Sequence, residues 1–185
     1  MSEPSTGPAT IQLRLREIAQ VFNSMDPSPF HERDLDADAE EFIMGWAREH
    51  ATDREFHLEI YLAEVPTPER AAGLEDSMRH YFRMRAEAKE REFRQLMRRG
   101  RASLGVGLVF LAGCFTLGEI VAKVIHGLTA AELVREGLTI GGWVAMWRPL
   151  EIYLYDWWPL RDERRLLERL ARVRVRLILP QPKLP

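Results

Sequence analysis

The stretch ASLGVGLVFLAGCFTLGEIVAKVI, Ala102 to Ile125, decides the fold. Its only charges are Glu119 and Lys123, both near its far end. At about 1.5 Å per residue, its roughly 24 residues match a hydrocarbon core of about 30 Å. It reads as a first transmembrane helix, with a buried helix of a soluble core as the competing reading. Downstream, LTIGGWVAMWRPLEIYLYDWWPL, Leu138 to Leu160, is long enough for a second span but is interrupted by Arg148, Pro149, Glu151 and Asp156. Tyr153, Tyr155, Trp157 and Trp158 stand where an interfacial aromatic belt belongs, just before a basic stretch.

Between the two runs, Thr129 and Glu132 have capping-box spacing and Gly137 is a plausible helix stop. Residues 126–137 therefore read as a short non-cytoplasmic connection. Eight Lys and Arg lie from Arg83 to Arg101 and seven from Arg161 to Arg176, with only Lys123 and Arg135 between the runs. The positive-inside rule then puts both termini in the cytoplasm of a multi-pass protein, most naturally in a bacterial inner membrane.

The composition excludes several alternatives. A net charge of -2 and a pI near 6.2 give no drive toward nucleic acid. The single cysteine, Cys114, sits in an apolar run, so neither an intramolecular disulfide nor a cysteine zinc site is expected. Residues 1–10 hold Pro4 and Pro8 among small polar residues, with no basic start and no apolar core. They read as a disordered leader rather than a signal peptide.

Outside the apolar runs the chain alternates strand and helix signals. Ile11 to Arg16 alternates as a strand, although Ile11, Leu15, Ile18 and Phe22 also fit a helix face. Phe22 to Asp36, with Pro27 and Pro29, is a shaped loop. Asp38 caps a helix running toward His50, and Phe56, Leu58, Ile60 and Leu62 mark the cleanest strand. Thr67 and Pro68 open a long amphipathic helix reaching Gly100. After Leu160 a short basic helix leads to a strand over 173–178. A sheet of three strands, 11–16, 56–63 and 173–178, would give each strand a partner.

The expected fold class is α+β: a two-helix transmembrane hairpin plus a small cytoplasmic α+β domain of about three strands, closed by the carboxy-terminal strand. In chain order this gives a leader 1–10, the cytoplasmic domain 11–66, the amphipathic helix 67–100 and the first transmembrane helix 102–125. The connection 126–137, the second transmembrane helix 138–160, a helix and strand 161–179 rejoining the domain, and a tail 180–185 follow.

Few constellations suggest chemistry. Asp34, Asp36 and Asp38 resemble the start of a calcium loop, but Ala39 and Gly45 stand where the loop needs glycine and a bidentate glutamate. A loop site of Asp26, His31 and Asp34 has an imidazole with acidic neighbours but no nucleophile. His50, His57, His80 and His126 lack paired metal spacing. No catalytic residue, metal or cofactor is assigned. Arg148 and Glu151 are the informative oddity. Counted from Trp158, Arg148 lies about ten residues, or roughly 15 Å, inside the span. A charge at such depth costs about 2.5–3.5 kcal/mol unless paired, and Glu151, one helical turn on, is the expected partner in an intramembrane ion pair.

The segments DPSPFHERDLD and AEEFI, with WRPLEIYLYDWW, resemble a family of uncharacterised bacterial two-span inner-membrane proteins. The resemblance implies a membrane location and carries no activity, cofactor or catalytic residue. The leading functional expectation is a non-enzymatic integral inner-membrane protein whose cytoplasmic domain binds an unidentified protein partner or assembles into a homo-oligomer. The alternatives are a subunit of an oligomeric channel or transporter, with Arg148 and Glu151 on a polar path, and a membrane-surface enzyme using the His31 loop.

Overall fold

The computed structural model describes residues 9–30, 32–50, 55–124 and 128–179. The first eight residues of the expected leader, His31 and residues 51–54 of the expected domain, residue 125 of the expected first span, residues 126–127 of the connection and the tail 180–185 lie outside them. The chain divides into two compact units, one of Met1–Ala88 with Asp162–Pro185 and one of Lys89–Arg161.

The first unit is built on a parallel sheet. Strands β1 (Ala9–Leu15), β2 (Phe56–Leu62) and β3 (Arg174–Ile178) lie in the order β1-β2-β3, with Ile11 beside Leu58 and Leu58 beside Val175. Alternation aims Ile11, Leu13, Phe56, Leu58, Ile60 and Leu62 at one face, where all are buried. A 3-10 turn, Ile18–Val21, follows β1 and buries Ile18 and Val21. Helix α1 (Ala37–Glu49) begins at Asp36, whose side chain accepts a hydrogen bond from Asp38 N at 3.1 Å. The N-cap is thus Asp36 rather than the expected Asp38, because Asp38 already lies in the first helical turn.

Parallel strands need crossovers, and crossovers of one hand that advance across a sheet in one direction put their helices on the same face. The core has that composition. Ile43, Met44 and Ala47 of α1, Leu74, Met78 and Phe82 of α2 (Pro68–Val124), and Leu166, Leu167 and Leu170 of α5 (Trp157–Leu170) all join the buried cluster. The start of α2 also binds the edge of β3. Glu75 accepts from Val175 N at 2.9 Å, Arg79 donates to the Val173 carbonyl at 2.9 Å, and the two side chains pair at 2.7 Å. The opposite sheet face is polar: Gln12 donates to Glu59 at 3.3 Å, and Arg14 lies 5.9 Å from the centre of the Tyr61 ring.

The expected fold class is corrected at its membrane segment. The amphipathic helix 67–100 and the first span 102–125 are not separate elements, since α2 is one helix of 57 residues. Gly100, Gly105 and Gly107 do not end it, as none adopts a positive φ and the hydrogen-bonding run has no proline to break it. Nor is 138–160 a second span-length helix. In its place stand α3 (Leu128–Ala145), α4 (Trp147–Glu151), a π-helical turn (Ile152–Asp156) and α5. Among the described residues there is therefore one helix long and apolar enough to cross a membrane, not two spans joined as a hairpin. Gly137 is no stop either, because α3 continues through it to Ala145.

Pro149 explains the break. It has no N–H to give the Ala145 carbonyl, so the helix tightens there, with Met146 N bonding to Trp143 O at 3.0 Å before Leu150 N resumes the pattern on Met146 O at 3.2 Å.

Within the second unit α2 packs antiparallel to this broken arm, through glycines. A Cβ placed on Gly100 would meet Ile152 at 2.9 Å, and one on Gly107 would meet Met146 at 3.0 Å and the Ala145 carbonyl at 3.3 Å. Gly118 faces Arg135, and Gly142 faces Leu111 and Cys114.

Candidate functional site

The two units solve the hydrophobic problem in opposite ways. In the first, large apolar side chains are inside, as in any protein folded in water. In the second, the buried seam of α2 is Gly100, Gly107, Cys114 and Gly118, while Val106, Val109, Phe110, Phe115 and Ile120 are exposed. The arm that packs on it buries Gly142 and Pro149 together with the larger Met146 and Ile152, and exposes Ile140, Trp143, Val144, Trp147 and Leu154. Small residues between helices and large apolar residues outside are what a lipid solvent selects, because lipid tails do not drive Leu or Phe inward and close backbone approach supplies the packing energy. The exposed band greatly exceeds the scattered apolar residues of an ordinary water-facing surface.

The expected ion pair forms. Arg148 donates to Glu151 at 2.7 Å, and Asp156 stands 3.3 Å from the same guanidinium nitrogen. Asp156 gives no sequence signal as a partner, since eight residues in a regular helix rise about 12 Å. The π turn 152–156 lies between them, and its shorter rise lets one arginine reach both acids.

The packing register also revises the depth of this group. Gly107 lies against Met146 and Pro149, and Gly100 against Ile152 and Tyr153. Arg148 and Glu151 are therefore level with the start of the α2 apolar run, beside the helical turn holding Arg98, Arg99 and Arg101, and not halfway along it. By the same register Trp157 and Trp158 stand level with α2 residues preceding the apolar run. Tyr153, Tyr155 and Trp158 are exposed around this edge, and Trp157 donates its indole N–H to the Tyr153 carbonyl at 2.8 Å.

Of the loop site, Asp26 and Asp34 are brought together, and His31 lies outside the described residues. Asp26 accepts from Ser28 N at 2.9 Å and from Asp34 N at 2.8 Å. Hydrogen bonds from the Ser28 side chain, then from the backbones of Asp34 and Ser28, hold its carboxyl down at about 2. The arrangement is that of a turn pinned by one carboxylate.

One polar cluster escaped sequence reasoning altogether. Tyr81, placed in the apolar stripe of α2, is buried and donates to Glu40 of α1 at 2.7 Å. Arg85 grips the other Glu40 oxygen through Nε at 2.9 Å and Nη2 at 2.7 Å. Burial and the Glu40 carboxylate push the Tyr81 phenol above its ordinary range. The available signal was generic: a tyrosine in a buried stripe needs a partner for its hydroxyl.

No protein-family profile, curated protein or solved structure matches the chain. Among the described residues no group of three or more His, Cys, Asp and Glu is placed to hold a metal ion.

Proposed function

We propose that this is an integral membrane protein in which the apolar part of α2, from Ala102 onward, lies in the bilayer and the first unit is a protein-interaction or assembly domain at the cytoplasmic surface. One observation carries the proposal: the second unit buries glycine and exposes Val, Ile, Phe and Trp. The chain leaves and re-enters one sheet, since β1 and β3 flank β2, so any entry into the membrane must be matched by a return to the same side. The Lys and Arg excess before and after the apolar band makes that side the cytoplasm, in a bacterial cell the inner face of the inner membrane. Membership of a family of bacterial inner-membrane proteins belongs to the same proposal and brings no activity with it. The polar open face of the sheet is the surface available for a partner.

Accessibility in membrane vesicles tests this reading. In a Cys114→Ser background, Met25→Cys is expected to react with an impermeant maleimide only in inside-out vesicles, and Thr129→Cys only in right-side-out ones. Labelling of both from one side would eliminate the topology, and release of the chain by alkaline carbonate would eliminate integral insertion.

A further inference from the structure

The antiparallel register places two sets of residues, far apart in sequence, at one level of the second unit. Because Gly100 packs on Ile152 and Tyr153, the α2 turns preceding Gly100 stand beside the turns that follow Tyr153. On α2 this level carries Arg98, Arg99 and Arg101, all exposed and without an acidic partner among the described residues. On the other arm it carries Tyr153 and Tyr155, with Trp157, Trp158 and then Arg161 following over the next two turns; the Arg161 guanidinium lies 5.4 Å from the centre of the Trp157 ring.

Two of the acids nearby are already engaged, while Asp162 follows Arg161 in sequence and is exposed. Glu151 and Asp156 both face Arg148 at 2.7 and 3.3 Å, and α2 has no acidic residue from Phe93 to Gly118. The four arginines are thus a positive collar that meets no acidic side chain in an ion pair among the described residues, bordering an exposed apolar band and an aromatic ring set.

We infer that this collar is a binding surface for anionic phospholipid headgroups, Arg98, Arg99, Arg101 and Arg161 taking the phosphates. The inference rests on the membrane reading above and adds a lipid selectivity to it. Guanidinium groups match phosphate oxygens in bidentate geometry. Aromatic rings at the same level fix the depth at which those groups meet the headgroups. Charge complementarity selects the anionic lipid over the zwitterionic one.

The test uses the full chain reconstituted in phosphatidylcholine vesicles containing a trace of spin-labelled phosphatidylglycerol or spin-labelled phosphatidylcholine. The wild type is expected to immobilise phosphatidylglycerol about three- to tenfold more than phosphatidylcholine at low salt, and less so at high salt. A variant with all four arginines changed to Gln should lose the preference while still floating with neutral vesicles, and the four Lys replacements should keep most of it. Equal immobilisation of both lipids by the wild type overturns the inference, as does a preference that survives in the Gln variant. Arginine-dependent capture of a soluble acidic peptide with no lipid preference would likewise overturn it, assigning the collar to a protein partner. Failure of the wild type to float overturns the membrane reading itself, and the collar with it.

Discussion

Tyr81 shows how one residue ties two helices of the first unit together. Its hydroxyl and Arg85 share the Glu40 carboxylate, so Tyr81→Phe removes one charge-assisted hydrogen bond while leaving the ring in the core. The expected loss is about 1–2 kcal/mol in chemical unfolding of the detergent-solubilised protein. The pH dependence has a definite sign. A phenol raised above its unfolded value holds its proton longer in the native state, so its stabilising contribution is intact below about pH 10 and is lost as pH rises beyond. Tyr81→Phe should flatten that alkaline limb. Asp26 acts in the opposite range, because a depressed carboxyl stabilises above its ordinary value of 3.8 and stops doing so as pH falls toward 2. Asp26→Asn should remove this acid limb from the opening of the loop between Asn23 and Asp34, measured by amide exchange of Ser28 and Asp34. The Tyr81 partnership was not legible in the sequence, whereas Asp26 and Asp34 were already grouped in one loop. Glu40 and Tyr81 are 41 positions apart, and only the packing of α1 on α2 brings them together. The Arg148 to Glu151 contact was legible, being one helical turn in length.

At the scale of elements, the glycines of α2 fall into two classes that the sequence does not separate. Gly100 and Gly107 are pressed against the other arm, whereas a Cβ on Gly105 or Gly113 would meet nothing within 4 Å. Gly107→Leu should therefore force the arms apart and cost about 1–3 kcal/mol, with Gly113→Leu close to neutral. Thermal unfolding of both variants in one detergent measures the difference, and equal effects would disprove the packing register. Strand positions were legible because alternation of period two is strong in 56–62 and 174–178, and the structure has strands there. The continuity of α2 was not, since a run of glycines normally reads as a place to stop. The broken return arm was misread for the reverse reason: apolar length alone suggested a single helix, and the proline and π turn within it outweigh that length.

For the whole molecule, the sheet is the element that both ends of the chain must reach. β3 covers one side of β2, and Val173 beside it is fully buried. Ending the chain at Arg172 removes both and leaves the β2 edge and the core leucines of α5 open. Trypsin should then cleave within residues 9–62 at least ten times faster, roughly what a loss of 1.4 kcal/mol or more implies when cleavage follows local opening. Flotation with vesicles should be unchanged, because the second unit keeps all its residues. Parallel cleavage and flotation losses would mean that the two units are not separately organised. The opposed surface chemistry of the units was legible as a change of composition near residue 101, but that the later segment returns to complete the earlier sheet rested on a strand of five residues.

The order of the strands also sets a clock on biogenesis. β2 ends at Leu62 and its second neighbour begins at Arg174, so more than a hundred residues must be translated before the sheet can close. At about 5–20 residues per second this is an interval on the order of ten seconds. Throughout it, the nascent amino-terminal part displays Phe56, Leu58 and Ile60 without the leucines of α5 that will cover them. The first unit becomes a finished domain only after the whole second unit has been made.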